Sequence, residues 1–541
     1  MNILKLISNI LLFLKKYKYT IAVFIYFLII VYFQINTLRN RGPFLFYFVN
    51  ASSLLFILHL ISKSKLIIGV ALKIIFSLLI TFEAYYAFFF NCSISLGIIS
   101  SIMVTNMAEA TDVMKDRILP CIIIFCLSFL GVFKSVNELK TMNIPVKWSV
   151  LLLSVYMFVC FPIYVFRKIK KDENFDLSYT GSAIRTCQML ITERFPLIYG
   201  QISSVLVNLQ EKNHVKKYLM HDRFFPEDVS WKDAEWLPEK IFFVLGESQY
   251  SKHLSLYGYD VKTTPFLDSL SQTSKMTVYN AISPACTTLD VTPLLFTFAT
   301  PKDLKPFFIH KNIIELANDA GYQTVWLSNQ TTFDKWGSVI THISSLSCDV
   351  FFTGYEKTVK IIDDLSLIPK LQEKYKKNMK QFFVIHLQGS HGGYSTKYDK
   401  IDEVAIKSNN TNCQYDWSIH HTDRVLRKIY NIMKADTSSI LYYISDHGEN
   451  IEMYGHGYLN GGVCQFEVPM FIINQSKIDV DAIVDQYFLH EKNRINTLSS
   501  INILAELMGY SFTDGIISEV REQSNYVYHV DGRTYKYDEL E

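Results

Sequence analysis

The chain has 541 residues, 49% of them hydrophobic, 14% aromatic and only 19% charged, with a net charge of +2. That near-balance excludes a nucleic-acid binder built on a basic stripe, and the many aromatics exclude a disordered chain. A mean hydropathy of +0.15 is concentrated in the first third, which reads as a membrane protein carrying a large water-soluble part.

A helix crossing a hydrocarbon core of about 30 Å needs about 20 mostly apolar residues. Five stretches reach or approach that length: Ile21 to Ile35, Phe44 to Ile61, Leu66 to Phe90, Ile118 to Phe133 and Trp148 to Phe166. They predict a transmembrane domain of five helices over residues 1–166. A signal peptide is disfavoured, because no small-residue cleavage site follows the first apolar run and further runs come directly after it. Lys5, Lys15, Lys16 and Lys18, then Lys63 and Lys65, then Lys134, Lys140 and Lys147 predict three cytoplasmic clusters. An odd number of crossings then places everything after Phe166 outside. Arg39 with Arg41, and Arg167, Lys168, Lys170 and Lys171, run against that orientation.

Lys73 and Glu83 lie inside the third stretch, either as functional intramembrane charges or, the blander reading, near an interface where they snorkel. The connection from Asn91 to Arg117 predicts an amphipathic segment on the outer membrane surface. Residues 167–236 read as a bridging helix and linker, with an amphipathic stretch from Ala183 to Leu209 and a charged one from Gln210 to Arg223.

Residues 237–541 have another texture. Lys240 to Leu245, Thr324 to Leu327, Gln381 to His386, Ser439 to Ile444 and Val468 to Ile473 are short, nearly continuous apolar runs. Helix-like segments such as Asn312 to Ala320 and Trp417 to Lys434 lie between them. This pattern predicts an α/β domain with a largely parallel sheet covered by helices. Ligands of such sheets gather beyond the carboxyl ends of the strands. Gly246-Glu247-Ser248 follows the first run, Gly389-Ser390-His391-Gly392-Gly393 the third, and Ser445-Asp446-His447-Gly448-Glu449 the fourth, with Gly455-His456-Gly457 soon after. Carboxylates and imidazoles at several strand ends are what a zinc site needs. A single Asp-His pair would read as readily as a cap or a buried polar pair.

These segments, together with Leu256-Tyr257-Gly258-Tyr259, Thr263-Thr264-Pro265-Phe266-Leu267 and Ala285-Cys286-Thr287-Thr288-Leu289-Asp290-Val291-Thr292-Pro293, resemble the phosphoethanolamine transferases of the alkaline phosphatase superfamily. The order along the chain and the five-helix anchor are similar too. The resemblance implies a zinc ion held by Glu247, Asp446, His447 and the oxygen of Thr288, with a second zinc as the alternative arrangement. It implies that Thr288 is the nucleophile, since metal coordination lowers the pKa of an otherwise poor nucleophile. Thr287 is the alternative nucleophile, and either threonine also suits a helix cap. His391 and His456 match positions that bind the substrate head group or a second metal, with Glu449 assisting. Asn329 and Lys335 match residues facing the phosphate, although the intervening spacing differs. Glu109, in the connection after the third stretch, matches a segment near the lipid substrate, and His386 is expected to be a buried neighbour of the site.

The implied reaction takes phosphoethanolamine from phosphatidylethanolamine and passes it to lipopolysaccharide. The implied location is the inner membrane of a Gram-negative bacterium, with the catalytic domain in the periplasm. The nine cysteines include no close-spaced pair near Thr288, which leans toward the core-oligosaccharide branch and away from the lipid A branch. A sulfatase-type nucleophile is excluded, because Cys286 is not followed by the Pro and Arg of Cys-x-Pro-x-Arg. A phosphoglycerol transferase and a non-catalytic membrane sensor remain as alternatives.

Overall fold

The computed structural model describes residues 3–36, 44–96, 98–99, 102, 117–170, 187–188, 191–192, 195, 197–218, 222–226, 228–231, 237–330, 339–353, 363–407, 413–453, 455–530 and 533–540. Glu109, Lys335, Arg39 and Arg41 lie outside them. The chain forms two compact units, Met1–Leu209 and Gln210–Glu541.

The first unit is helical: α1 (Ile3–Lys16), α2 (Lys18–Asn36), α3 (Phe44–Ser62), α4 (Leu66–Phe90), Ile118–Lys140, and Val146–Val155 continued through a π turn into Phe161–Ile169. Each of the five predicted stretches falls on a helix, but the count of five spans is corrected. Among the described residues three helices are long and apolar enough to cross a membrane, Leu66–Phe90, Ile118–Lys140 and Val146–Arg167. A fourth is counted if the helices either side of Tyr17, bent by 75°, are taken as one span. The remaining apolar helix, α3, has 19 residues; at about 1.5 Å per residue it comes close to the thickness of the hydrocarbon core.

Phe27, Ile30 and Val31 of α2, Leu54 and Leu58 of α3, Ile80 and Ala84 of α4, and Val132 and Val136 form the core of this bundle. Leu78, Ile122 and Leu151 are exposed, as lipid-facing side chains are. Glu83 does not snorkel: its side chain is 1% exposed and accepts a hydrogen bond from Gln34. Lys73 rests on the ring of Phe133, 4.6 Å from its centroid.

The second unit is built on an eight-stranded sheet of β2 (Lys240–Gly246), β3 (Met276–Ile282), β4 (Gln323–Ser328), β5 (Asp349–Phe352), β6 (Gln381–His386), β7 (Ser439–Ser445), β8 (Glu467–Asn474) and β9 (Ile495–Asn496), in the order β5-β4-β6-β2-β7-β8-β3-β9. Two small sheets pair β1 (Val229–Trp231) with β10 (Tyr510–Phe512), and β11 (Tyr526–Tyr528) with β12 (Thr534–Lys536). The central strands are apolar on both faces because both faces are covered. Along β2, Ile241, Phe243 and Leu245 enter one core while Phe242 and Val244 enter the other. Phe242 stacks on Phe383 across the strand pair at 5.0 Å.

The sheet is largely parallel, as expected, and mixed through one strand. The strands β5, β4, β6, β2 and β7 are parallel, but β8 runs antiparallel to both β7 and β3. The reason is the connection. A parallel return needs a crossover, usually helical, and the described residues between β7 and β8 contain no α-helix, only a 3₁₀ turn at Val463–Gln465. Register positions the site. Gly246 pairs with Ser445, Leu245 with His386, and Ser328 with His386. The carboxyl ends of β2, β4, β6 and β7 are therefore flush, and the residues that follow each of them share one edge.

Candidate functional site

Glu247 follows β2, and Asp446 and His447 follow β7; all three are buried at 1% exposure or less. The hydroxyl of Thr288 reaches them from the first turn of the helix Thr288–Phe296. Its Oγ1 donates to Asp446 Oδ2 at 2.8 Å and lies 3.3 Å from both Glu247 oxygens and from His447 Nε2. His447 Nε2 is 3.3 Å from Glu247 Oε1 and from Asp446 Oδ2. Thr288 itself is only half-buried, so a reacting group has an approach to its hydroxyl.

The backbone aims each of these groups. Asp446 Oδ1 accepts from the amides of Ser248 at 3.1 Å and His447 at 2.7 Å, which turns Oδ2 inward. His447 Nδ1 lies 2.8 Å from the Gly448 carbonyl; with the proton on that nitrogen, the Nε2 lone pair faces the cluster. Ser248 holds a left-handed conformation, φ 57°, sparsely populated for a residue with a Cβ. Three contacts keep it there: its amide to Asp446, its hydroxyl to Glu247 Oε1 at 2.9 Å, and its carbonyl accepting from Tyr415 at 2.8 Å. Ser283 Oγ donates to the Asp446 carbonyl, tying the segment before Thr288 to the end of β7.

Thr287 has other work. It is the N-cap of the helix, donating from its hydroxyl to Asp290 Oδ2 at 2.8 Å and accepting from the Asp290 amide. It is Thr288, not Thr287, whose hydroxyl meets the carboxylates.

Burial alone would depress the His447 imidazole, but Asp446 and Glu247 hold it at about 10. Burial and the Glu247 charge push Asp446 up to about 7. For Glu247, burial acts upward, and the hydrogen bond and charge of His447 carry it below the ordinary carboxylate range. Two carboxylates and one imidazole packed out of water form a donor set short of positive charge. With ligand atoms within 4.8 Å of one another and a hydroxyl as fourth neighbour, this set fits zinc.

Next to it, His456 Nδ1 is 2.8 Å from Glu449 Oε2, and Glu449 Oε1 accepts from Tyr394 at 2.6 Å. The His456 ring lies 3.9 Å from that of His447 and 5.9 Å from that of His391. His391 keeps a buried Nδ1 with no protein partner among the described residues. His447, Glu449 and His456 form a second cluster with convergent ligand atoms. Asn329 sits one strand further out, fully buried, its amide donating to Asp364 Oδ1 at 2.7 Å and accepting from Thr353 at 2.8 Å.

Asp364 was not anticipated. Beyond Asn329 it accepts from the amides of Gln388 at 2.8 Å and Gly389 at 2.9 Å, which pins the loop carrying His391. From the other side, Ser390 donates its amide to the Glu247 carbonyl at 2.9 Å. No local signal marks Asp364, because its partners are on two other strand ends. Asp364→Ala should leave two buried donors and one half-buried donor without an acceptor and cost at least ~2 kcal/mol, seen as a lower melting temperature. Gly389 lets this loop approach Glu247 closely: it has φ +49°, and a Cβ there would stand 2.6 Å from the Glu247 carbonyl.

His386 is 1% exposed, as expected. Burial pushes its imidazole down to about 4, with the Glu247 charge opposing. A folded value below the unfolded 6.5 means that the unfolded chain binds the proton first. The stability this group contributes is complete above pH 6.5 and is lost as pH falls toward about 4, at up to ~1.4 kcal/mol per pH unit. Melting temperature against pH should therefore decline less steeply in His386→Gln than in the wild type.

Residues 239–511 match the family described as Sulfatase. The phosphoethanolamine transferase EptC of Escherichia coli O18:K1:H7 (strain RS218 / NMEC) is 25% identical over 371 residues, 64% of this chain and 62% of its own. Alignments with the first curated relatives span between 42% and 62% of their length. Among solved structures, the zinc complex of the C-terminal periplasmic domain of Escherichia coli EptC aligns with a TM-score of 0.51 and 21% identity, over 59% of this chain and 98% of that one. The integral membrane protein lipooligosaccharide phosphoethanolamine transferase A (EptA) from Neisseria meningitidis aligns with a TM-score of 0.63 and 17% identity, over 90% and 97%. At such identities the likeness is one of fold alone.

Proposed function

We propose, from the premise that this chain belongs to the sulfatase family, that it transfers phosphoethanolamine from phosphatidylethanolamine to lipopolysaccharide. The observation that carries the reading is the hydroxyl of the half-buried Thr288 set among Glu247, Asp446 and His447. The names of EptC and EptA support the transferred group, and the zinc complex of the EptC domain supports the metal. Glu247, Asp446, His447 and the Thr288 oxygen would hold it. Bound there, zinc would lower the pKa of the threonine hydroxyl and offset charge building on the transferred phosphoryl group.

The chain's own groups do the rest. In the first step Thr288 Oγ1 gives up its proton and forms a bond to phosphorus, while the bond to the diacylglycerol oxygen breaks and that oxygen takes up one proton, so that diacylglycerol leaves. In the second, an acceptor hydroxyl or phosphate oxygen of lipopolysaccharide attacks the phosphorus, and Thr288 leaves with its hydroxyl restored. Amides at the start of the helix Thr288–Phe296 face the anionic phosphate. His391 and His456 line the approach, with Glu449 holding the His456 ring, and Glu109 and Lys335 are proposed to contact the lipid and the phosphate. The nine cysteines include no close-spaced pair near Thr288, which supports a core-oligosaccharide acceptor. The lysines at the α2 and α4 amino ends, with the periplasmic placing of the similar EptC domain, support an inner-membrane chain whose second unit works in the periplasm.

Intact-mass measurement of the full chain in detergent, after incubation with phosphatidylethanolamine, tests this directly. The expected result is a gain of one phosphoethanolamine, located on Thr288 by fragmentation. An adduct only with phosphatidylglycerol would identify a phosphoglycerol transferase instead, and no adduct or diacylglycerol from either lipid would overturn the enzyme reading.

A further inference from the structure

Helix α1 takes no part in the chemistry above, and its geometry is unusual. It meets α2 at 75°. The start of α2 is fixed in the bundle: the amides of Tyr19 and Thr20 donate to the Glu138 carboxylate at 3.1 and 2.8 Å, and Val23 and Phe27 are buried. Residues 8–16 of α1 are all exposed, including Leu11 at 60% and Phe13 at 52%. At 100° per residue, Ile10, Leu11, Phe13 and Leu14 share one side, while Ser8, Asn9, Lys15 and Lys16 share the other with Leu12. Nothing among the described residues of its own unit covers the apolar side.

The surroundings say what does. If α1 and α2 were one broken span, Lys15, Lys16 and Lys18 would sit in hydrocarbon at its middle, where charge is most costly. With α2 alone crossing, the 75° bend turns α1 nearly into the membrane plane. Its junction then carries interface markers. Phe13 packs on the buried Tyr17 at 4.9 Å, while Lys16 lies over Tyr17 and Lys18 over Tyr19 at 5.2 and 4.9 Å. Lys134 also reaches Tyr19, and Lys63 donates to the carbonyls of Lys140 and Met142 at this same end of the bundle. The end is a rim of ammonium groups.

We propose that α1 is an in-plane anchor that lies in the headgroup layer of the leaflet at this end, its apolar side in the acyl boundary and its lysines on anionic phospholipid headgroups. This placement is independent of the catalytic reading, and its test does not use activity.

The test uses the full chain with a spin label introduced through a keto amino acid, one position at a time from Ser8 to Lys16, which leaves the native cysteines alone. The chain is reconstituted in vesicles of phosphatidylethanolamine with phosphatidylglycerol, and in parallel of phosphatidylcholine alone. Collision with oxygen should peak at positions 10, 11, 13 and 14, and collision with a nickel chelate at 8, 9, 15 and 16. The labels should sit deeper in the anionic vesicles, and Lys15→Gln with Lys16→Gln should remove that difference while keeping the periodicity. High nickel collision at every position would overturn the proposal by placing α1 in water. Low collision with both reagents would overturn it by placing a second copy or another segment of the chain over the apolar side. Equal depth in the two lipids would overturn the anionic partner.

Discussion

Thr288→Ala is expected to abolish transfer while leaving the fold in place, with a rate loss of about 10⁴-fold or more, as for removal of other covalent nucleophiles. The fold should survive because the Thr288 hydroxyl is bonded only to the site, at 2.8 Å to Asp446 and 3.3 Å to Glu247 and His447. The helix it begins is capped by Thr287 instead. The contrast between the neighbouring threonines is the sharper part of the test. Thr287→Ala loses a cap worth about 1 kcal/mol and should lower the melting temperature while retaining the adduct on Thr288. Thr288→Ser keeps the hydroxyl and should retain measurable transfer. Diacylglycerol release and intact mass read all three variants, and full activity in Thr288→Ala would falsify the nucleophile assignment.

His447→Ala should have the second-largest effect, on metal content, stability and activity together. The imidazole is the only nitrogen donor in the innermost cluster, turned by its contact with the Gly448 carbonyl. Without it Glu247 and Asp446 face each other out of water with no countercharge between them, which is costly in a buried site. A ligand present at a hundred times its dissociation constant stabilises the folded state by about 2.7 kcal/mol. Stripping zinc from the wild type with a chelator should therefore lower its melting temperature, and readdition should restore it. The variant should carry little zinc by elemental analysis, melt lower than the wild type, and show no response to the chelator. A variant that keeps full zinc content and transfer would remove His447 from the metal site.

How much of this was legible in the chain depends on how local each feature is. The apolar runs that became β2, β4, β6, β7 and β8 are strands wherever they are buried on both faces, so five of the eight central strands could be read directly. β3, with an exposed Asn280 and half-buried Thr277, Val278 and Tyr279, lacks a continuous apolar run and could not. Glu247, Asp446, His447 and His391 were legible for the same reason: each follows such a run, and flush register does the rest. The resemblance to a family, carried by those same motifs, supplied Thr288.

What the chain by itself determined was therefore composition-driven: apolar stretches that became helices in the first third, an α/β unit after residue 237, and ligand-type side chains at strand ends. The tertiary structure alone decided the rest, because each remaining feature depends on partners distant in sequence. The antiparallel course of β8 follows from a return without a crossover. Which of Thr287 and Thr288 meets the carboxylates follows from the hydroxyl that the capped helix turns toward Asp446, 158 residues away. The grip of Asp364 on Asn329 and on the loop of His391 needs three strand ends to meet, and the bend before α2 needs Glu138 to hold its first amides. Local pattern sets what a segment can become, and long-range register sets what its side chains meet.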